Sequence, residues 1–235
     1  MPPGKSKPYL REASLQEQFV SITADELQLD GVLMLPERPA GVVLFAHGAS
    51  TDGGYRNAAT QATANDFVRA GLATLCFDQA GIAPGGGDGG HRYFLHADIV
   101  LLARQLEKAL GWLRIDPVTR RLPCGLYGHG ASAAAVMQLA AWRGSELAAL
   151  AVCDAQVELA GKAALDNVRV PSLLIVAGRD PDVAGLNRMA FAALRCDKQL
   201  EQIAAPGSAD ARHQAALLAC DWYTRHFNGH ASGGS

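Results

Sequence analysis

The chain has 235 residues, of which 49% are hydrophobic and 19% charged, and a formal net charge of -2. That length fits one large α/β domain with a sizeable interior and leaves little room for a second core. No stretch concentrates Lys and Arg, which argues against a nucleic-acid partner, and no apolar run reaches the roughly 20 residues that span a bilayer, which argues against a membrane one.

The N-terminal segment, residues 1–17, is polar, carries three prolines and lacks the apolar stretch of a secretory signal. It reads as an unstructured tail. So does the Gly- and Ser-rich segment 228–235. Between them, residues 18–227 form the expected domain.

Phe19–Ile22 and Leu27–Leu35 alternate in polarity around Leu29-Asp30-Gly31, which reads as a turn between antiparallel edge strands. Short apolar runs follow at Val42–Ala46, Ala73–Asp78, Leu122–Tyr127, Leu147–Cys153, Ser172–Ala177 and Gln199–Ala204. Their length suits strands buried on both faces of a parallel sheet. Helical spacing fills the gaps at Ala58–Ala70, Ile99–Leu113, Ala133–Trp142, Leu186–Leu194 and His213–Phe227. The alternation implies right-handed crossovers, with helices on both faces of a mostly parallel, eight-stranded sheet.

Five cysteines, an odd number without metal-site spacing, read as buried reduced thiols of a cytoplasmic protein. A cluster of Asp88, His91 and His96 has metal-ligand chemistry but no motif behind it, so no metal and no cofactor is expected.

Four segments together carry a family resemblance. Val42–Ser50, with His47-Gly48 at the strand end, resembles the oxyanion strand and loop of the dienelactone-hydrolase-like family of α/β hydrolases. Gly71–Asp78 resembles that family's next strand, Val170–Asp180 its acid-bearing strand, and Asp221–Phe227 its last helix. The likeness runs from about Gly31 to Phe227. It implies an α/β-hydrolase fold with N-terminal antiparallel strands, and a small ester, lactone or carboxylate as the molecule bound. A homodimer is left open.

In that fold the nucleophile sits on a tight strand-to-helix turn written Gly-x-Ser-x-Gly, with small residues where the backbones meet. The corresponding turn here is Gly128-His129-Gly130-Ala131-Ser132. Without gaps, Gly130 occupies the nucleophile position and supplies no side chain. Shifted by two, Ser132 becomes the nucleophile, flanked by Gly130 and Ala134. The shift requires two extra residues between strand and turn, whose separation is set by packing. In the ungapped reading Ser132 is a small residue that lets the helix approach.

A serine nucleophile needs a base, usually His, oriented by a carboxylate. Asp180 holds the acid position that the resemblance implies, and it also suits the N-cap of a helix beginning at Pro181. Matching Pro206-Gly207 to the family's own Pro-Gly puts Asp210 where the base is expected. His213, three residues on, is the remaining candidate base and equally a helix-surface histidine. The resemblance assigns oxyanion N–H groups to Ala49 and Ala131, with His47 and Gly48 shaping their loop. His129 is expected to pack inward, and Asp78 to be structural. The loop Pro84–Tyr93, with five glycines, is expected near the strand ends, with His91, Arg92 and Tyr93 at the pocket entrance.

Two functional readings follow. In one, the chain is a pseudoenzyme that keeps the fold and pocket without turnover. In the other, it hydrolyses esters or lactones with a shifted Ser132, His213, Asp180 triad. Departures at both nucleophile and base favour the first. A structural or assembly role has no specific sequence feature behind it.

Overall fold

The computed structural model describes residues 15–46, 54–78, 96–177, 180–203 and 209–231. Among the described residues eight strands form one sheet. They are β1 (Gln16–Ala24), β2 (Leu27–Leu35), β3 (Val42–Ala46), β4 (Ala73–Phe77), β5 (Cys124–His129), β6 (Ala149–Cys153), β7 (Ser172–Val176) and β8 (Lys198–Gln202). Their order is β1-β2-β4-β3-β5-β6-β7-β8. The pairs β1–β2 and β2–β4 are antiparallel, and all others are parallel.

The central strands follow from their composition. Every residue of β3, β4, β6 and β7 is buried. Successive side chains must point to opposite faces. Accordingly Val42, Leu44 and Ala46 enter one core while Val43 and Phe45 enter the other. The first core is completed by helices α2 (His96–Ile115), α3 (Ser132–Arg143), α4 (Lys162–Asn167) and α5 (Pro181–Ala193). The second is completed by α1 (Ala58–Arg69) and α6 (Ala209–Ala231). Helix α3 is buried nearly all round, from Ser132 to Met137 and again at Leu139 and Ala140. Such a helix belongs at the centre of a domain rather than on its surface.

The mostly parallel sheet with helices on both faces is as read from the sequence. So are the two antiparallel strands at its edge, but their turn lies elsewhere. The chain reverses at Asp25-Glu26, with Asp25 in the left-handed region at φ 55°. Asp30 and Gly31 lie inside β2, opposite Ser21 and Val20. Gly31 is required there by packing, because a Cβ on it would stand 2.4 Å from the Cys76 carbonyl oxygen of β4. A close approach between strands therefore produced a glycine that imitates a turn.

Two segment boundaries also shift. Gln16 and Glu17 belong to β1, and Asn228 to Ala231 continue α6. The short helix α4 lay in a stretch assigned to no element. The five cysteines are free thiols, four of them buried. Among the described residues no helix is long and apolar enough to cross a membrane.

Candidate functional site

Strand β5 lies between β3 and β6 and leads through Gly130 and Ala131 into α3. At Gly128 an added Cβ would sit 2.9 Å from both the Ala133 Cα and the Val136 Cγ2, so only glycine lets α3 approach this closely. At Gly130 the backbone is left-handed, φ 58°, and an added Cβ would meet none of the described residues within 4 Å. The turn therefore has its apex at Gly130.

The apex is held from β6. Gly130 N–H donates to the Cys153 carbonyl oxygen at 3.0 Å, and its own carbonyl accepts from Gln156 N–H at 3.1 Å. Ala131 caps α3 with no side-chain hydrogen bond.

Ser132 is buried and turned inward. Its Oγ lies 2.8 Å from the His129 carbonyl oxygen and 2.9 Å from that of Ala46. His213 is exposed on α6, with Nδ1 2.9 Å from Asp66 Oδ2 on α1. Asp180 caps α5, accepting from the N–H groups of Asp182 at 2.9 Å and Val183 at 3.4 Å. Among the described residues no hydrogen bond or ion pair joins any two of Ser132, His213 and Asp180. The structure does not bring the shifted triad together. Asp210 is exposed in the first turn of α6.

His47, Gly48 and Ala49 lie outside the described residues, as do Asp88, His91, Arg92, Tyr93 and the segment 204–208. The side chain of His96 does too. Asp78 is structural as expected, accepting from Tyr55 N–H at 2.9 Å.

His129 departs from expectation. At the last position of β5 its side chain remains 62% exposed, and Nε2 stands 3.8 Å from Asp154 Oδ2. Asp154 is the site residue that the sequence reading missed. It follows β6 directly, in the left-handed region at φ 46°. Its Oδ1 accepts from Ala177 N–H at 2.7 Å, and its Oδ2 lies 3.8 Å from Cys153 Sγ. The available signal was an Asp directly after an apolar strand, as at Asp78. Protein atoms crowded around the His129 ring displace part of its water and lower its affinity for a proton, opposed by the Asp154 carboxylate and assisted by the Arg212 guanidinium. Burial pushes the Cys153 thiol well up, and Asp154 adds to this.

A cleft lined by Phe19, Val32, Met34, Tyr55 and Arg56 lies at the antiparallel edge of the sheet.

No family model matches the chain. Two proteins of Mycobacterium tuberculosis, one from each of two strains and both provisionally named phosphoribosyl transferases, are 35% identical over 223 residues, 92% of this chain. The match takes in 48% of their length, so the chain spans about half of the curated relatives it matches. Among solved structures, a dienelactone hydrolase from Anabaena variabilis is 32% identical with a TM-score of 0.80, covering 90% of this chain and 98% of that one. The esterase domain of a Rhodothermus marinus protein shares the fold at 20% identity and a TM-score of 0.69, covering 90% of this chain and 100% of that one.

Proposed function

The chain belongs to the dienelactone-hydrolase-like family of the α/β-hydrolase fold, and within it we propose a non-catalytic or weakly active member that binds a small carboxylate, ester or lactone. The observation that carries this reading is Gly130. It takes the left-handed apex of the elbow, no described residue would stand within 4 Å of a Cβ there, and a glycine at that position offers no nucleophile. The base position supports the same reading, since Asp210 is exposed and His213 is engaged by Asp66. Backbone N–H groups of Ala49 and Ala131 are the proposed oxyanion donors. Such donors bind a carbonyl or carboxylate whether or not turnover follows.

The phosphoribosyl-transferase name of the mycobacterial relatives is proposed to describe the half of those proteins that this chain does not match. A cytoplasmic location is proposed from five free thiols.

Hydrolysis of activated aryl esters tests the reading in wild type, Ser132→Ala and His213→Ala. Little or no activity is expected in all three. A residue of roughly 10³-fold over water is compatible with binding and oxyanion stabilisation alone. Robust turnover that collapses in both variants by several orders of magnitude would establish the shifted triad and overturn the proposal.

A further inference from the structure

At the carboxyl ends of β5 and β6, beside the vacated apex, three different donor atoms converge. A ring nitrogen of His129, Cys153 Sγ and a carboxylate oxygen of Asp154 all lie within 4.8 Å of one another. The two separations from Oδ2, to Nε2 and to Sγ, are both 3.8 Å. Tetrahedral zinc, with bonds of about 2.0–2.3 Å, sets its ligand atoms about 3.3–3.7 Å apart. The two pairs that involve Asp154 therefore need to close by only a few tenths of an ångström, and the imidazole and thiol, within 4.8 Å of each other, by about 1 Å at most, which rotation of the exposed His129 ring supplies. We propose that His129, Cys153 and Asp154 form a binding site for a zinc-class divalent transition metal.

The donor set of one imidazole, one thiol and one carboxylate suits zinc better than a hard cation such as magnesium or calcium. The surroundings hold the ligands in place. The second oxygen of Asp154 is fixed by Ala177 N–H at 2.7 Å, the kind of support that orients a ligating carboxylate. Cys153 and the elbow are tied by the bond from Gly130 N–H to the Cys153 carbonyl. Asp154 keeps a left-handed backbone that most residues avoid, and conformations of that kind cluster at functional sites. An entry path exists, because the side chains of His129 and Asp154 are 62% and 29% exposed. Binding breaks the Cys153 S–H bond, forms a metal–sulfur bond and releases one proton to solvent. Three protein donors leave a fourth position to water. The site stands whether or not the chain turns over an ester.

Chelator-stripped full-length protein titrated with Co²⁺, and then with Zn²⁺ in competition, tests this. One equivalent of Co²⁺ should bind with a thiolate-to-cobalt charge-transfer band and the intense visible bands of a tetrahedral site. Zn²⁺ should displace it. His129→Ala, Asp154→Asn and Cys153→Ser should each weaken uptake roughly 100-fold or more, and Cys153→Ser should abolish the charge-transfer band. Cys124→Ser, a thiol elsewhere in β5, should leave the spectrum unchanged. His129→Ala removes a largely exposed side chain and keeps the test clear of folding defects. Uptake that is weak and non-stoichiometric, or that is unchanged in the three ligand variants, overturns the proposal, and so does a spectrum without the thiolate band.

Discussion

Ser132 Oγ lies 2.9 Å from the carbonyl oxygen of Ala46, so the first turn of α3 is fastened to the end of β3. The hydroxyl is buried and its second acceptor is the His129 carbonyl. A nucleophile must present its oxygen to substrate, whereas this one is aimed into the sheet. Ser132→Ala is therefore expected to act on stability, costing about 1–2 kcal/mol through the buried carbonyls left with fewer donors. Thermal unfolding should shift down by a few degrees, and any ester hydrolysis should be unchanged. Loss of hydrolysis at unchanged stability would return Ser132 to the nucleophile position.

Gly128 and Gly130 are two residues apart and glycine for different reasons. Gly128 is glycine because the backbone of α3 occupies the space of a Cβ. Gly128→Ala should cost about 1–3 kcal/mol or more, as overpacking between two rigid backbones cannot relax cheaply. At Gly130 none of the described residues would meet a Cβ within 4 Å, and the left-handed backbone is what opposes a side chain. Gly130→Ala should cost about 1–2 kcal/mol. Denaturant unfolding of the two variants checks the order. A larger loss at Gly130 would mean that the apex is crowded.

The sheet was legible because its buried strands are continuous apolar runs separated by helical spacing. The elbow was legible for a related reason: the close approach at Gly128 forces a small residue whatever the chemistry. Position-specific packing was less so. Gly31 looks like a turn residue, and its cause, the Cys76 carbonyl of a neighbouring strand, appears only once the strands are paired. Asp154 was missed because its partners are tertiary. Ala177 lies at the end of β7, and His129 belongs to β5. The exposure of His129 was misjudged because it is the last residue of β5, where the inward rule for a strand interior no longer holds.

Thiol chemistry separates the buried cysteines from the surface. Burial pushes the Cys124 and Cys220 thiols from 9.0 up to about 12, and that of Cys76 higher still. The thiolate is the reactive form, so these groups should resist alkylation at neutral pH. Cys196, the half-buried one, should react first and alone in the native protein. The same shifts carry a stability consequence. The folded protein holds these protons more tightly than the unfolded chain. The stabilisation is fully present below pH 9 and is lost as pH rises towards about 12. Mass spectrometry after a short iodoacetamide pulse checks the first statement, and urea unfolding at pH 8 and pH 10.5 the second. Early labelling of Cys124 or Cys220 would contradict both.

Restoring the nucleophile should not restore the enzyme. Gly130→Ser places a hydroxyl at an apex with a left-handed backbone and none of the described residues within 4 Å of its Cβ, but a serine is a weak nucleophile without an adjacent base. His213 is occupied by Asp66 on α1, and His129 precedes the apex with its Nε2 directed to Asp154. Gly130→Ser alone is therefore expected to leave aryl-ester hydrolysis within about tenfold of wild type, since general-base assistance worth typically 10²–10⁴-fold is missing. Adding Asp210→His supplies an imidazole at the position the family resemblance assigns to the base. That position is exposed in the first turn of α6, so its reach to residue 130 depends on the segment 204–208. The double variant should exceed the single one, and a further Asp180→Asn should matter only if the new His is oriented by Asp180 rather than by solvent. Initial rates on an activated aryl ester across the three variants decide the matter. Full activity from Gly130→Ser alone would show that a base is already in place, and the non-catalytic reading would then rest on the missing hydroxyl only.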